Sequence, residues 1–343
     1  MRELTDRQET ILALIVHEYN ETTQPVGSKR LVSRYSLDVS PATVRHEMSM
    51  LTDAMLLRQP HTSAGRVPTE DGYRYFVRRL LGETELPSAE KRLISHQFHQ
   101  APADIEEWVR LSASILAQQS QVASLATAPR PARAIFKHLE LISTRGPQVL
   151  LVLVLQGGEV RQQVLTLAES MDQGQLDLAA SQVTAACIGK NSEEVLHPSE
   201  GFSSLALDVM KLVAEVMARA DAVWTGEIYR DGITNVLAQP EFADTDIGRN
   251  TLRLLEEQSF LEEVLSNVLS PNVGGVQVVI GGEGAWEELR ECTIVLARYG
   301  APGYATGALG VLGPTRMAYG RTISTVRYVA GLLSDFVIDT FAA

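Results

Sequence analysis

At 343 residues, with 45% hydrophobic and 21% charged content, the chain can hold two or three domains that each bury a core, and its composition excludes a disordered or fibrous protein. A net charge of -12 argues against a chain that coats itself in nucleic acid. Yet residues 1–80 carry eleven Lys/Arg against ten Asp/Glu, while residues 81–343 carry nineteen against thirty-two. A near-neutral module on an acidic body is compatible with DNA binding through a local basic patch.

No apolar run approaches the roughly eighteen residues of a membrane helix, and the longest, Val149 to Leu155, has the length of a strand. Glu3 and Asp6 stand where a signal peptide would be basic and then apolar, so a cytoplasmic protein without membrane contact is expected. Cys187 and Cys292 lie far apart in apolar surroundings and are read as buried free thiols.

In chain order, Thr5-Asp6-Arg7-Gln8 is a capping box, and Ile11, Leu12, Ile15, Val16 and Tyr19 follow at helical spacing. A second helix is expected from Ser28, as its N-cap, to Arg34 or Tyr35. A third is capped by Ser40, with Pro41 at the first helical position, where a missing N–H costs nothing. Val44, Met48, Leu51 and Met55 should face the core. The other face then presents Ala42, Thr43, Arg45, His46 and Ser49, short or polar groups with one guanidinium, suited to base-edge and phosphate contacts. Leu56-Leu57-Arg58 and Val67-Pro68 bracket a hairpin whose tight tip Gly65 permits. Arg66 is placed to reach a phosphate or the minor groove, with His61, Thr62 and Ser63 as smaller candidates. A helix capped by Thr69 should run to Leu81 and pack through Tyr73, Phe76, Val77 and Leu80. Its Arg74, Arg78 and Arg79 fit either backbone contacts or a solvated face. Ser28, Lys29, Ser40 and Arg66 are the candidates for positioning on the DNA backbone.

Gly82 to Ser88 reads as a linker, and Ala89 to Ala128 as two helical patterns divided near Ala101-Pro102-Ala103-Asp104. Leu139 to Ser143, Val149 to Leu155 and Val160 to Leu167 read as three antiparallel strands, the last two joined by Gln156-Gly157-Gly158-Glu159. Leu176 to Ile188, Leu205 to Trp224 and Ile247 to Leu269 are helical, with a strand-like piece around Trp224 to Tyr229. Strands return at Val276 to Ile280, Thr293 to Tyr299 and Ala305 to Leu312, before a helix from Ser324 to Phe341. A sheet interrupted by a helical block is the pattern of one domain inserted in another.

No enzyme is expected, and no cofactor. Gly281-Gly282-Glu283-Gly284-Ala285-Trp286 lacks the spacing of a dinucleotide fingerprint, no Gly-x-Ser-x-Gly nucleophile motif occurs, and no His/Cys/Asp/Glu cluster has metal spacing. Gly313-Pro314-Thr315-Arg316 reads as a tight strand-to-helix turn with Arg316 in a structural salt bridge, in preference to an anion site.

Several long strings resemble the HrcA family of heat-inducible transcription repressors. They are Leu37-Asp38-Val39-Ser40-Pro41-Ala42-Thr43-Val44-Arg45-His46-Glu47-Met48, Gln59-Pro60-His61-Thr62-Ser63-Ala64-Gly65-Arg66-Val67-Pro68-Thr69, Tyr229-Arg230-Asp231-Gly232, Gln239-Pro240-Glu241-Phe242 and Gly310-Val311-Leu312-Gly313-Pro314-Thr315-Arg316-Met317. One departure is His46, where many members carry Asn; both can hydrogen-bond to a base edge or phosphate.

The resemblance implies an α+β, multidomain fold. It would comprise a winged helix-turn-helix DNA-binding domain (1–82), a GAF-like α+β domain in two parts (83–172 and 273–343), and a mostly helical inserted dimerisation domain (173–272). It implies a homodimeric repressor that binds an inverted-repeat operator in double-stranded DNA ahead of chaperone operons. The GroEL chaperonin is then the partner that keeps it active until heat occupies the chaperonin with unfolded clients. Two other readings stay open: a small-molecule sensor acting through a GAF-like pocket, and a thermosensor that unfolds locally.

Overall fold

The first helix begins where the capping box puts it. Thr5 Oγ1 accepts from the Gln8 N–H (3.3 Å), Gln8 Oε1 accepts from the Thr5 N–H (3.1 Å), and α1 runs Asp6–Thr22. The structure, a computed structural model, describes residues 4–341 apart from 62–63, 83, 103, 132–133, 157–159, 168, 198–200, 223–226, 243–245, 270–272, 282–285, 287–288 and 302–303. Thr62, Ser63, the turn residues 157–159 and most of the loop after Gly281 therefore lie outside the described residues.

The N-terminal unit continues with α2 (Ser28–Tyr35), α3 (Pro41–Asp53), the strands β1 (Leu57–Arg58) and β2 (Val67–Pro68), and α4 (Glu70–Tyr75), which widens into a π turn over Phe76–Leu80. Two expectations are corrected here. Gly27 is the N-cap of α2, and Ser28 is its first helical residue, with a buried side chain. Met55 does not extend the buried face of α3. The helix ends at Asp53, Met55 takes a left-handed φ of 62° and is 69% exposed, and Leu56 fills the core instead.

The body begins with α5 (Ser88–Gln100) and α6 (Ile105–Ser120). Next comes an unforeseen strand, β3 (Ala123–Thr127), where a helical pattern was expected to continue to Ala128. Gln121, at φ 56°, ends α6, and all five residues of β3 are buried, so no in–out alternation marked it. After the short β4 (Arg130–Pro131), a separate unit intervenes: β5 (Phe136–Ser143), β6 (Gln148–Leu155), β7 (Val160–Thr166), α7 (Gln173–Cys187), α8 (Ser192–Val195) and α9 (Ser204–Ala222). The body then resumes with β8 (Ile228–Asp231), α10 (Ile233–Leu237), α11 (Asp246–Glu256), α12 (Gln258–Val268), β9 (Val276–Ile280), β10 (Cys292–Ala301), β11 (Ala305–Pro314) and α13 (Tyr319–Phe341).

Strand pairing separates the body from the intervening unit. The body sheet runs β8-β3-β11-β10-β9, all antiparallel, with β4 on β11; β5-β6-β7 form a sheet of their own. Two apolar cores match this division. One joins the N-terminal unit to the body sheet, α6 and α13; the other lies between β5, β6, α7 and α9. The three strands expected in the first part of the body therefore belong with the helices after them, so the interruption starts before residue 136 instead of at 173. By the same criterion α11 and α12 share the body's core through Leu255, Leu261 and Leu265.

Both cysteines are buried free thiols. Cys292 lies under Thr251 Oγ1 (3.5 Å), and burial pushes its pKa up to about 11. Among the described residues no helix is long and apolar enough to cross a membrane.

Candidate nucleic-acid interface

The geometry of α3 follows from its first three residues. Ser40 Oγ accepts from the Thr43 N–H (3.1 Å) and lies 2.9 Å from Thr43 Oγ1, while Pro41 opens the helix. Two of the predicted hydroxyls are thus partly committed to the cap. Val44, Met48 and Leu51 are buried, which fixes the roll of the helix, so Ala42, Arg45 and His46 come out exposed, with Thr43 and Ser49 half-buried beside them. Glu47, turned toward α1, accepts from Gln8 Nε2 (3.1 Å) and stands 3.6 Å from Arg7, which braces α3 from behind.

The hairpin is set against α3 by a third strand-like residue. Val26 exchanges backbone hydrogen bonds with Arg66 (2.9 Å each way), extending the β1–β2 pair. Gly65 sits at this crossing: a Cβ there would overlap the Val26 backbone. Its smallness is therefore required by a close approach, not by the tip of the hairpin. Gly65→Ala should cost about 1–3 kcal/mol by overpacking. Urea denaturation checks this, and an unchanged midpoint would rule out the close approach.

The Arg66 side chain is tied to α3 at its Nε. It is half-buried, and the Nε donates to Thr52 Oγ1 (3.0 Å). Ser28, Arg45 and Arg66 line one groove of about 340 Å³ between α2, α3 and the hairpin. Gln59 also lines it; sequence reasoning overlooked this residue although it lies inside the hairpin string. Gln59 Nε2 donates to Ala64 O (3.1 Å) and closes the base of the loop. Lys29, Arg58 and His61 are exposed, and Lys29 and Arg45 form no ion pair among the described residues.

Several other cations of this unit are held by acidic or carbonyl partners. Arg30 and Arg34 pair with the fully buried Glu18, and Arg34 also with Glu21. Arg74, left open between DNA contact and solvent, turns to the body: Nη2 donates to Ile280 O (2.6 Å), and Asp71 and Glu70 flank it at 2.7 and 3.2 Å.

Two of the strings far from α3, 239–242 and 310–317, meet at a joint. Arg316 forms the structural salt bridge expected of it, with Nε 2.6 Å from Glu241 Oε1 and Nη2 3.0 Å from Gln239 Oε1, and Nη1 donates to the Asn20 carbonyl (3.2 Å). Asn20 Nδ2 donates to Met317 O, and Tyr73 Oη donates to Asn20 Oδ1, both at 2.8 Å. Burial acts to lower the Arg316 pKa, but the Glu241 hydrogen bond and charge outweigh it and raise it. The expected linker is likewise seated: Thr84 Oγ1 donates to Gly320 O (3.0 Å) and Ser324 Oγ to Thr84 O (2.9 Å).

These features define a mixed α+β protein in which a helical unit with a hairpin is locked to a sheet-based body. The family described as HrcA protein C terminal domain matches residues 106–323. A heat-inducible transcription repressor HrcA of Roseiflexus castenholzii is 42% identical over 347 residues, covering 99% of this chain and 96% of that protein. Those of Herpetosiphon aurantiacus (40% identical; 99% and 97% covered) and Thermomicrobium roseum (39%; 98% and 96%) are similar along their whole length. A crystal structure of a hypothetical protein shares the fold, with a TM-score of 0.58 at 23% identity and 98% of each chain covered. The chain belongs to the HrcA family.

Proposed function

We propose that the chain is a heat-inducible transcriptional repressor that binds an inverted-repeat operator as a homodimer and blocks polymerase by occupancy. The N-terminal unit is read as a winged helix-turn-helix, with α3 in the major groove. Thr43, Arg45, His46 and Ser49 would face base edges there, with Ala42 against a thymine methyl. Lys29, Ser40 and Arg66, with His61, Thr62 and Ser63 of the hairpin, would fix the backbone register. Ser28, being buried, would contribute its helix-terminal N–H in place of its hydroxyl.

The observation that carries this reading is the exposed Arg45, free of acidic partners among the described residues, on a helix whose inner face is fixed by Val44, Met48 and Leu51. Arg45→Ala should weaken operator binding by about 1–3 kcal/mol and relax base preference at one position of each half-site. Competition binding with single-base operator variants tests it. Equal weakening on every duplex would reduce Arg45 to a phosphate contact.

The body sheet with α6 and α13 is read as the GAF-like domain, and the intervening unit as the dimerisation domain. On the outer face of the β5-β6-β7 sheet, the register aligns Ile142, Leu150 and Val164 across the strands, with Val160 further along. Ile142, Val160 and Val164 are 43, 51 and 62% exposed, apolar side chains that a second copy would cover. Val164→Lys should therefore shift the chain from dimer to monomer in light scattering; an unchanged mass would remove this face from the interface.

Family membership supports the last element of the reading, regulation by the GroEL chaperonin. Operator binding by the purified repressor across temperature separates this from intrinsic heat sensing, which requires binding to collapse near the heat-shock temperature without chaperonin.

A further inference from the structure

Arg230, in the Tyr229-Arg230-Asp231-Gly232 string, plays no part in the DNA interface, the joint or the apolar cores. Among the described residues its Nε and Nη2 are buried without a hydrogen-bond partner, and it has no ion pair. Buried guanidinium donors without acceptors are costly. By contrast, the two arginines that hold the body to the N-terminal unit, Arg74 and Arg316, are both fully engaged.

Arg230 lines a cavity of about 720 Å³ between α5, α6 and β8, a size that suits a small organic ligand. Arg110, from α6, stands opposite with its guanidinium 5.3 Å from the centre of the Tyr229 ring. Two carboxylates also line the cavity, and both already accept hydrogen bonds from other groups. Glu107 Oε1 accepts from Arg110 Nη1 (3.0 Å), and Asp231 Oδ1 accepts from the Gly232 N–H (2.6 Å). This leaves Arg230 as the uncommitted charge, with Leu111 and the Tyr229 ring supplying apolar wall beside it.

We propose that this cavity binds a small monocarboxylate with an apolar body, anchored by the Arg230 guanidinium. The planar fork of Nε and Nη2 matches a carboxylate bidentately once the side chain turns its buried edge into the cavity. A single negative charge fits better than a phosphate. The two carboxylates that line the cavity, Glu107 and Asp231, repel a dianion more strongly than a monoanion. The apolar body of the ligand would lie along Leu111 and Tyr229, and acetate would be too small to use that wall.

The test is thermal denaturation and calorimetric titration of the full-length chain with sodium benzoate and sodium hexanoate. Sodium acetate, phosphate and chloride at matched ionic strength serve as controls. The expected result is a saturable rise in Tm with benzoate or hexanoate, absent with chloride, and at least a tenfold loss of affinity in Arg230→Gln. Arg110→Gln should lose less, and Arg230→Lys, which keeps the charge but not the fork, should fall between wild type and Arg230→Gln. If Arg230→Gln does not fold, Arg230→Lys and Arg110→Gln carry the comparison. No saturable shift with either carboxylate, saturation with phosphate alone, or a larger loss in Arg110→Gln than in the Arg230 variants would overturn the assignment.

Discussion

Arg316→Ala is expected to lower stability by about 3–5 kcal/mol, the cost of removing one partner from a largely buried charge pair. The Arg316 and Glu241 side chains are 14% and 24% exposed, so the Glu241 carboxylate cannot recover full hydration when its partner is cut away. The same truncation leaves the Gln239 side chain and the Asn20 carbonyl without their donor. Because Asn20 also holds Met317 and Tyr73, the loss reaches the contact between α1, α4 and the body. Urea denaturation followed by tryptophan fluorescence measures it. Arg316→Lys should recover part of the stability, since it keeps the charge but not the bidentate geometry. A change below about 1 kcal/mol, the range of exposed ion pairs, would mean the joint is worth no more than a surface salt bridge. The expected functional consequence is separable. At temperatures where Arg316→Ala is still folded, operator affinity should fall more than half-site affinity, because the two recognition helices of a dimer must be held at a fixed spacing.

Glu18→Ala is the second large effect. Glu18 is fully buried between α1 and α2, where Arg30 and Arg34 pair with it and Tyr35 Oη donates to Oε2 (3.3 Å). Burial, then the Glu18 charge, raises the Tyr35 pKa, which keeps the phenol a donor at neutral pH. Removing the carboxylate ends three charge-assisted hydrogen bonds at once, but the Arg30 and Arg34 side chains are 49% and 42% exposed and can turn to water. The expected loss is therefore about 3 kcal/mol, at the lower end for a broken buried pair. Since this network sets the angle of α2, and with it Lys29 and the Val26–Arg66 bridge, DNA affinity should fall along with the thermal midpoint. Native stability in Glu18→Ala would show that the two helices are held by Ile11, Ile15 and Leu31 alone.

Local signals carried much of the fold. The capping residues Thr5, Ser40 and Thr69 each accept the backbone N–H that their spacing predicted, at Gln8, Thr43 and Gly72. Strand β6 was legible from its length, as the apolar run Val149 to Leu155, although its residues prove alternately buried and partly exposed. The failures have two causes, and the first is that burial on both sides erases periodicity. Strand β3 lies between β8 and β11 under α6, and its Ala-Ser-Leu-Ala-Thr sequence reads as easily for a helix. Assignment of β5, β6 and β7 to the body failed because strand partners far apart in sequence leave no local mark. Nothing in Leu139 to Leu155 says whether β3 or α7 will cover it.

For the candidate interface, the outward face of α3 was readable because its inner face was. The tie of Arg66 to Thr52 was not, being a contact between elements. Glu18 did leave a signal. It falls at i+7 and i+3 from Ile11 and Ile15, an acid on an apolar stripe, with Arg30 and Arg34 the basic residues of the next helix.

The central claim is sequence-specific DNA binding that a chaperonin sustains. Its most direct test is a gel shift of the purified chain at fixed salt, on an inverted-repeat operator and on a scrambled duplex, with and without GroEL. Tight, operator-selective binding that increases with chaperonin is the predicted result. Equal, weak binding to both duplexes in the presence of chaperonin would contradict it.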